Sequence, residues 1–231
     1  MSGAERPLLA IDTSTGMAGL ALYGAAGPLA EISWMAGRAQ TAAVLREIDR
    51  LCQRCALQPQ DLGAVAVATG PGSFNGLRVG LSTAKGLAFA LGLPLLGVPT
   101  LAVAAYPHGN AGYPVRAVLL AGRARYVSAL YRWQDDTLRR LGEYTNTTLA
   151  ELAHLIVEPT LVCGELPHGQ LAEWRELVPL ARLPSPSLNL RRASYLAEIA
   201  WTRHCRGEAD DPTTLEPVYL HGPARTTPDA G

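Results

Sequence analysis

Near the start of this chain a short apolar run ending in an acid is followed by two strand-like runs, a helix, a buried strand, a second helix and another strand. The second half repeats that order imperfectly. The first copy opens on Leu8-Leu9-Ala10-Ile11-Asp12, which reads as a strand buried on both faces. Ala18 to Tyr23 and Leu29 to Trp34 continue it as a meander around the turn Gly24 to Pro28. From Ala39 to Leu57 the period changes. Ala42, Leu45, Ile48, Cys52 and Cys55 recur at three and four, which predicts an amphipathic helix. Ala64 to Ala68 is a buried strand, Phe74 to Leu91 a second helix and Leu95 to Val98 a fifth strand. In the second copy Val115 to Leu120, Tyr126 to Tyr131 and Leu138 to Tyr144 form the meander. Thr148 to Val157 is a helix opened by a threonine cap, and Thr160 to Cys163 a buried strand. A proline-rich stretch then leads into a last helix, Leu190 to about Arg206, and disorder is expected from His221 onward.

A chain of 231 residues, 48% hydrophobic and 17% charged, can bury a core of this kind. The expected halves are 1–101, completed by the helix at about 190–206, and 102–189, with 221–231 as a tail. Apolar stretches such as Leu87 to Val98 are broken by glycine and proline well short of a membrane span, so a cytoplasmic protein is expected. Twenty basic side chains balance twenty acidic ones, which excludes a broad positive field for nucleic acid. Cys52 and Cys55 have redox or zinc spacing, but they fall late in a helical pattern and no second pair exists, so buried structural thiols are expected.

Thr69-Gly70-Pro71-Gly72-Ser73-Phe74-Asn75-Gly76-Leu77-Arg78 joins a strand to a helix. Glycines there let backbone approach a ligand and expose the first helical amides, an anion site in principle. It is neither a Walker A loop nor a Gly-x-Gly-x-x-Gly fingerprint, so a tight turn and a phosphate cradle both remain open. In the following helix Gly76, Gly80, Ala84 and Ala88 continue a four-residue stripe from Gly72. Each mid-helix glycine costs about 1 kcal/mol relative to alanine, so close packing must offset the loss. The stripe faces either this half's own sheet or a partner's helix.

Asp12-Thr13-Ser14-Thr15, Gly70 to Arg78, Ser82 to Ala88, Pro94 to Leu101 and the closing Leu215-Glu216-Pro217-Val218-Tyr219-Leu220 together resemble the bacterial TsaB family, densely in the first half and in outline in the middle. The resemblance implies an α/β fold of the actin, hexokinase and Hsp70 type in two tandem βββαβα halves. It further implies a non-catalytic subunit that pairs with TsaD, the transferase that adds threonylcarbamoyl to the tRNA adenosine beside the anticodon. A TsaE-type ATPase in the same assembly, tRNA contact only through that assembly, and self-pairing of the isolated chain are implied as well. No cofactor is required on this reading, and ATP binds weakly or only within the complex. The partner surface is expected on the two first-half helices, at Gly76, Gly80, Ala84, Ala88, Arg46 and Arg50. Asp12, Gly70, Gly72 and Ser73 are the residues of a vestigial nucleotide site.

The residues agree with an absence of chemistry. His108, His154, His168, His204 and His221 are scattered singly, and Thr41 and Leu45 stand at the depth where catalytic relatives carry a histidine pair. His108 and His168 read as exposed loop histidines. Ala121-Gly122-Arg123 stands where a second acid is usual, so Asp12 reads as a turn or cap carboxylate before a metal ligand. Ser73 lacks the Gly-x-Ser-x-Gly elbow of a hydrolase. The rival readings are an ATP-dependent kinase or hydrolase with Asp12, Gly70, Gly72 and Ser73 around phosphate, and a homodimeric interaction module.

Overall fold

Leu8, Leu9, Ala10 and Ile11 are wholly inaccessible to solvent, because helices cover both faces of the sheet they centre. The computed structural model describes residues 6–36, 40–109, 111–122, 124–135 and 137–220. It divides into two compact units: Met1–Val103 with Arg191–Val218, and Ala104–Leu190 with Tyr219–Gly231. The expected disorder from His221 onward falls outside the described residues. Among those residues no helix is long and apolar enough to cross a membrane.

The elements run β1 (Leu8–Asp12), β2 (Met17–Gly24), β3 (Gly27–Met35), α1 (Gln40–Arg54), β4 (Ala64–Gly70), α2 (Phe74–Leu91), β5 (Leu95–Pro99) and α3 (Thr100–Ala105). There follow β6 (Val115–Leu120), β7 (Arg125–Gln134), β8 (Thr137–Thr148), α4 (Leu149–His154), β9 (Thr160–Gly164), α5 (Leu171–Leu177), β10 (Ala181–Arg182) and α6 (Ala193–Cys205). Each unit holds one five-stranded sheet, ordered β3-β2-β1-β4-β5 and β8-β7-β6-β9-β10. In both, an antiparallel meander is extended by two parallel strands, so the units share one topology. This is the α/β, actin-like arrangement expected from the duplicated pattern.

Alternation along β1 divides the first unit's core. Leu9 and Ile11 pack with Leu20, Leu22, Val65 and Val67 beneath α1 and α2, whereas Leu8 and Ala10 pack with Ala64, Ala66 and Leu96 beneath α6. Cys52 belongs to the first cluster, and burial raises its thiol pKa, with smaller contributions from Cys55, Asp49 and Asp61. Both long helices of that layer end in the same backbone closure. In α2, Gly92 is left-handed and Leu93 N–H bonds to the Ala88 carbonyl; in α1, Ala56 is left-handed and Leu57 N–H bonds to the Cys52 carbonyl.

In the second unit the bounds of two expected elements and the burial of one side chain differ from the sequence reading. The helix α4 ends at His154 rather than Val157, because Leu155 and Ile156 bond to carbonyls three residues back and tighten the last turn. Thr148 caps it as expected, in a reciprocal box with Glu151. β8 runs on to Thr148, carried by Ser128 and Thr145 hydroxyls 2.7 Å apart and by Arg125 Nε donating to Asn146 Oδ1 at 3.0 Å.

The third departure is His108. Expected to be exposed, it is 7% accessible, and its Nε2 is buried without a partner. Burial lowers its pKa below the ordinary histidine value, an effect partly offset by a hydrogen bond with the Leu188 backbone. The unfolded chain therefore binds a proton more readily at this site than the folded chain does. The stabilisation is complete above the ordinary histidine pKa of about 6.5 and is lost as pH falls below it. Urea unfolding at pH 7.5 and 5.5 is expected to show a larger loss of stability in the wild type than in His108→Gln. Equal losses would mean that His108 titrates alike in both states.

Candidate functional site

A buried polar cluster of the first unit lies where β1 ends, and it is built from three distant segments. Asp12 is the last residue of β1 and is 1% accessible. Its Oδ1 accepts the Ser14 backbone N–H at 2.9 Å and the Ser14 hydroxyl at 2.6 Å. Its Oδ2 accepts Arg191 Nε at 2.6 Å, and Arg191 Nη2 donates to Thr15 Oγ1 at 2.9 Å and to the Met17 carbonyl at 3.3 Å. Two charges shielded from water are stable only when paired and hydrogen-bonded in this way. Asp12 is thus the turn carboxylate the sequence suggested, with an additional partner that it did not.

The second segment is the start of α2. Ser73 is its N-cap, with its hydroxyl accepting Gly76 N–H at 3.4 Å, while Ser73 N–H donates to the Ser14 carbonyl at 2.6 Å. Thr13 Oγ1 donates to the Gly76 carbonyl at 2.7 Å. The glycines serve these approaches. A Cβ on Gly72 would overlap the Ser14 carbonyl oxygen, and one on Gly76 the Thr13 carbonyl oxygen. Gly70, left-handed at φ +105°, would bring a Cβ to 2.7 Å from the Val218 carbonyl oxygen, and Val218 N–H in turn bonds to the Thr69 carbonyl. Gly70, Gly72 and Ser73, assigned from the sequence to a phosphate site, therefore meet carbonyl oxygens and amides of the protein itself.

The same contacts correct the expected partner surface. A Cβ on Gly80 would overlap Thr13 Oγ1 and lie 3.6 Å from Val67 Cγ2, and Ala84 and Ala88 belong to the core beneath the helices. The stripe Gly76, Gly80, Ala84 and Ala88 thus packs against the β1–β2 turn and the unit's own sheet. It cannot also face a partner, because the space it leaves is already filled by Thr13 and Val67. Arg46 and Arg50 do lie outward, on the exposed side of α1 with Arg54. Arg50 forms an exposed pair with Glu47 at 2.7 Å. On α2 the outward residues include Phe74, Arg78 and Phe89; Arg78 stacks over the Phe74 ring at 4.0 Å, and Phe89 is 92% exposed.

The third segment, the start of α6, escaped the sequence reading. Arg191 and Arg192 stand at a helix N-terminus, where the dipole disfavours cations, and the first turn contains no acid. That conflict is a signal that carboxylates must come from elsewhere. Arg191 takes Asp12. Arg192 takes Glu31 on β3, which also accepts Ser194 N–H at 3.2 Å and Ser194 Oγ at 3.1 Å.

The family model for "TsaD: tRNA N6-adenosine threonylcarbamoyltransferase" matches residues 34–193. Among curated relatives, the tRNA threonylcarbamoyladenosine biosynthesis protein TsaB of Haemophilus influenzae is 28% identical over 92% of both chains. That of Bacillus subtilis is 29% identical over 68% of this chain and 70% of its own. The chain belongs to the TsaB branch of this family. A solved structure of YeaZ from Pseudomonas aeruginosa superposes with a TM-score of 0.76 at 27% identity, covering 93% of this chain and 100% of the other. At 92% coverage of both chains, the likeness to TsaB extends through both units.

Proposed function

We propose that this protein takes part in making threonylcarbamoyladenosine in tRNA as a non-catalytic subunit that binds and activates a TsaD-type transferase. One observation carries the non-catalytic part: both carboxylate oxygens of Asp12 are committed within the protein, to Ser14 and to Arg191. An acid buried against its own guanidinium in this way is already charge-compensated, which makes it a poor ligand for a metal-bound phosphate. On this reading no cofactor is required, a TsaE-type ATPase joins the same assembly, and tRNA is reached through the assembly in the cytoplasm.

The binding surface belongs to the outward side of α1 and α2. Arg46, Arg50 and Arg54 recur every fourth residue along α1, Leu45 is half-exposed beside them, and Phe89 projects from α2. Such a face suits a partner with an apolar groove bordered by acids. When the partner is absent the same face pairs with itself, so the two associations compete by mass action.

Co-purification with a TsaD-type subunit, and a tRNA modification assay with and without this chain, test the proposal together. A stable complex and dependence of modification on the chain are expected, with ATP hydrolysis by the chain alone no faster than buffer. Turnover above buffer that disappears in Asp12→Ala would instead make the chain an enzyme.

A further inference from the structure

The first sheet ends at β5, and side chains close that edge where a further strand could pair. Leu95 and Gly97 lie in register with Val65 and Val67 of β4, but their outward main-chain groups bond elsewhere. The Leu95 carbonyl accepts Asp210 N–H at 2.8 Å, Gly97 N–H donates to Asp210 Oδ2 at 2.7 Å, and the Gly97 carbonyl accepts Arg203 Nη1 at 3.0 Å. Arg203 also grips Asp210, with Nη2 donating to Oδ1 at 3.0 Å and Nη1 to Oδ2 at 3.2 Å. Pro99, the next outward position, has no N–H to leave bare. Gly97 permits the close fit, because a Cβ there would lie 2.7 Å from Thr69 Cγ2 and 2.8 Å from Leu215 Cδ1.

An open strand edge presents N–H and C=O groups at the spacing of another strand, and it pairs with one unless it is covered. Here the only strand-like pairing among the described residues is a single antiparallel bridge, Leu95 to Asp210. Beyond it the cover is a carboxylate and a guanidinium, which match the edge but offer no further edge of their own. We infer that the Asp210–Arg203 pair is a plug that keeps the β5 edge of a second copy of this chain from adding to this one. A second copy fits this edge because the pairing is self-complementary. Antiparallel and centred on Gly97, it joins each Gly97 to its counterpart through both N–H and C=O, and it sets each Leu95 N–H against the other copy's Pro99 carbonyl. This inference concerns the sheet edge alone and stands whether or not the transferase binds the α1 and α2 face.

Three single variants separate a plug from general loosening. Asp210→Ala removes the acceptor of Gly97 N–H and frees Arg203, whereas Asp210→Asn keeps an oxygen for that N–H. Leu215→Ala weakens the apolar foot of the same segment, which packs on the core beneath α1 and α2, and leaves Asp210 in place. In sedimentation over a wide range of concentration, Asp210→Ala is expected to self-associate about tenfold more tightly than wild type. In dilute Asp210→Ala the Gly97 amide should exchange with deuterium about tenfold faster than in wild type, and it should regain protection as the protein is concentrated. Asp210→Asn and Leu215→Ala should associate as wild type does, and wild-type pairing through α1 and α2 should leave Gly97 exchange unchanged at every concentration. If Asp210→Ala precipitates, the solubility of the other two variants decides in the same way. The inference is overturned if Asp210→Ala associates no more than wild type, if its Gly97 amide gains no protection on association, or if Asp210→Asn or Leu215→Ala associates or precipitates equally.

Discussion

Gly76→Ala is expected to unfold or nearly unfold the first unit, whereas Gly86→Ala, ten residues along the same helix, is expected to stabilise it. Both exchanges improve helix propensity by about 1 kcal/mol. At Gly86 that gain is all that changes, because a Cβ there meets nothing within 4 Å. At Gly76 the new methyl overlaps the Thr13 carbonyl oxygen, which is backbone and cannot swing aside as a flexible side chain would. The Thr13 hydroxyl bond to the Gly76 carbonyl draws the two segments together at that level. Separating them breaks this bond and the Ser73–Ser14 bond beside it. Overpacking of this kind costs about 3 kcal/mol or more, against a total stability of about 5–15 kcal/mol. Thermal melts of the two variants should therefore move in opposite directions, with Gly86→Ala a few degrees above wild type and Gly76→Ala far below it or insoluble. A Gly76→Ala protein melting with the wild type would mean that α2 stands farther from β1 than these contacts require.

The legible parts of the fold were those whose signal is local. Both ends of α2 are written in the sequence, by Ser73 as cap and Gly92 as left-handed stop. The end of α1 was not, because Ala56 takes the same left-handed position without glycine's mark, and the reading ran on to Leu57. The helix α5 follows a glycine-containing turn and is only seven residues long, too short for its periodicity to register, and β10 is two residues. At the candidate site, Asp12 and the glycines were found by motif, but what they do was decided by groups remote in the chain. Arg191 lies 179 positions from Asp12, and no spacing rule reaches that far. The small-residue stripe was ambiguous for a related reason. Four-residue spacing defines one face of a helix, and only the position of Thr13 decides whether that face looks inward.

Charge reversal of Arg46→Glu/Arg50→Glu, and separately Phe89→Ser, is expected to abolish or sharply weaken binding to the TsaD-type subunit while leaving the isolated chain folded. Phe89 is almost fully exposed, so its loss removes nothing from the monomer's core. Arg50 gives up only an exposed ion pair with Glu47, worth about 0–1 kcal/mol. Melting temperatures should accordingly change little. In a complex the same residues are desolvated. An aromatic anchor contributes about 2 kcal/mol or more, which corresponds to roughly a thirtyfold loss of affinity for Phe89→Ser. Two reversed charges facing an acidic partner add repulsion to lost attraction, so the double variant should lose about a hundredfold or more, chiefly through slower association at low salt. Wild-type binding should itself weaken as salt rises from about 0.05 to 0.5 M, and the double variant should lack that dependence. Gly80→Leu distinguishes this surface from the buried stripe, since it should destroy folding and binding together. Undiminished affinity in both surface variants would move the partner surface to the second unit, where Leu155, Val157 and Leu177 stand exposed at the ends of α4 and α5.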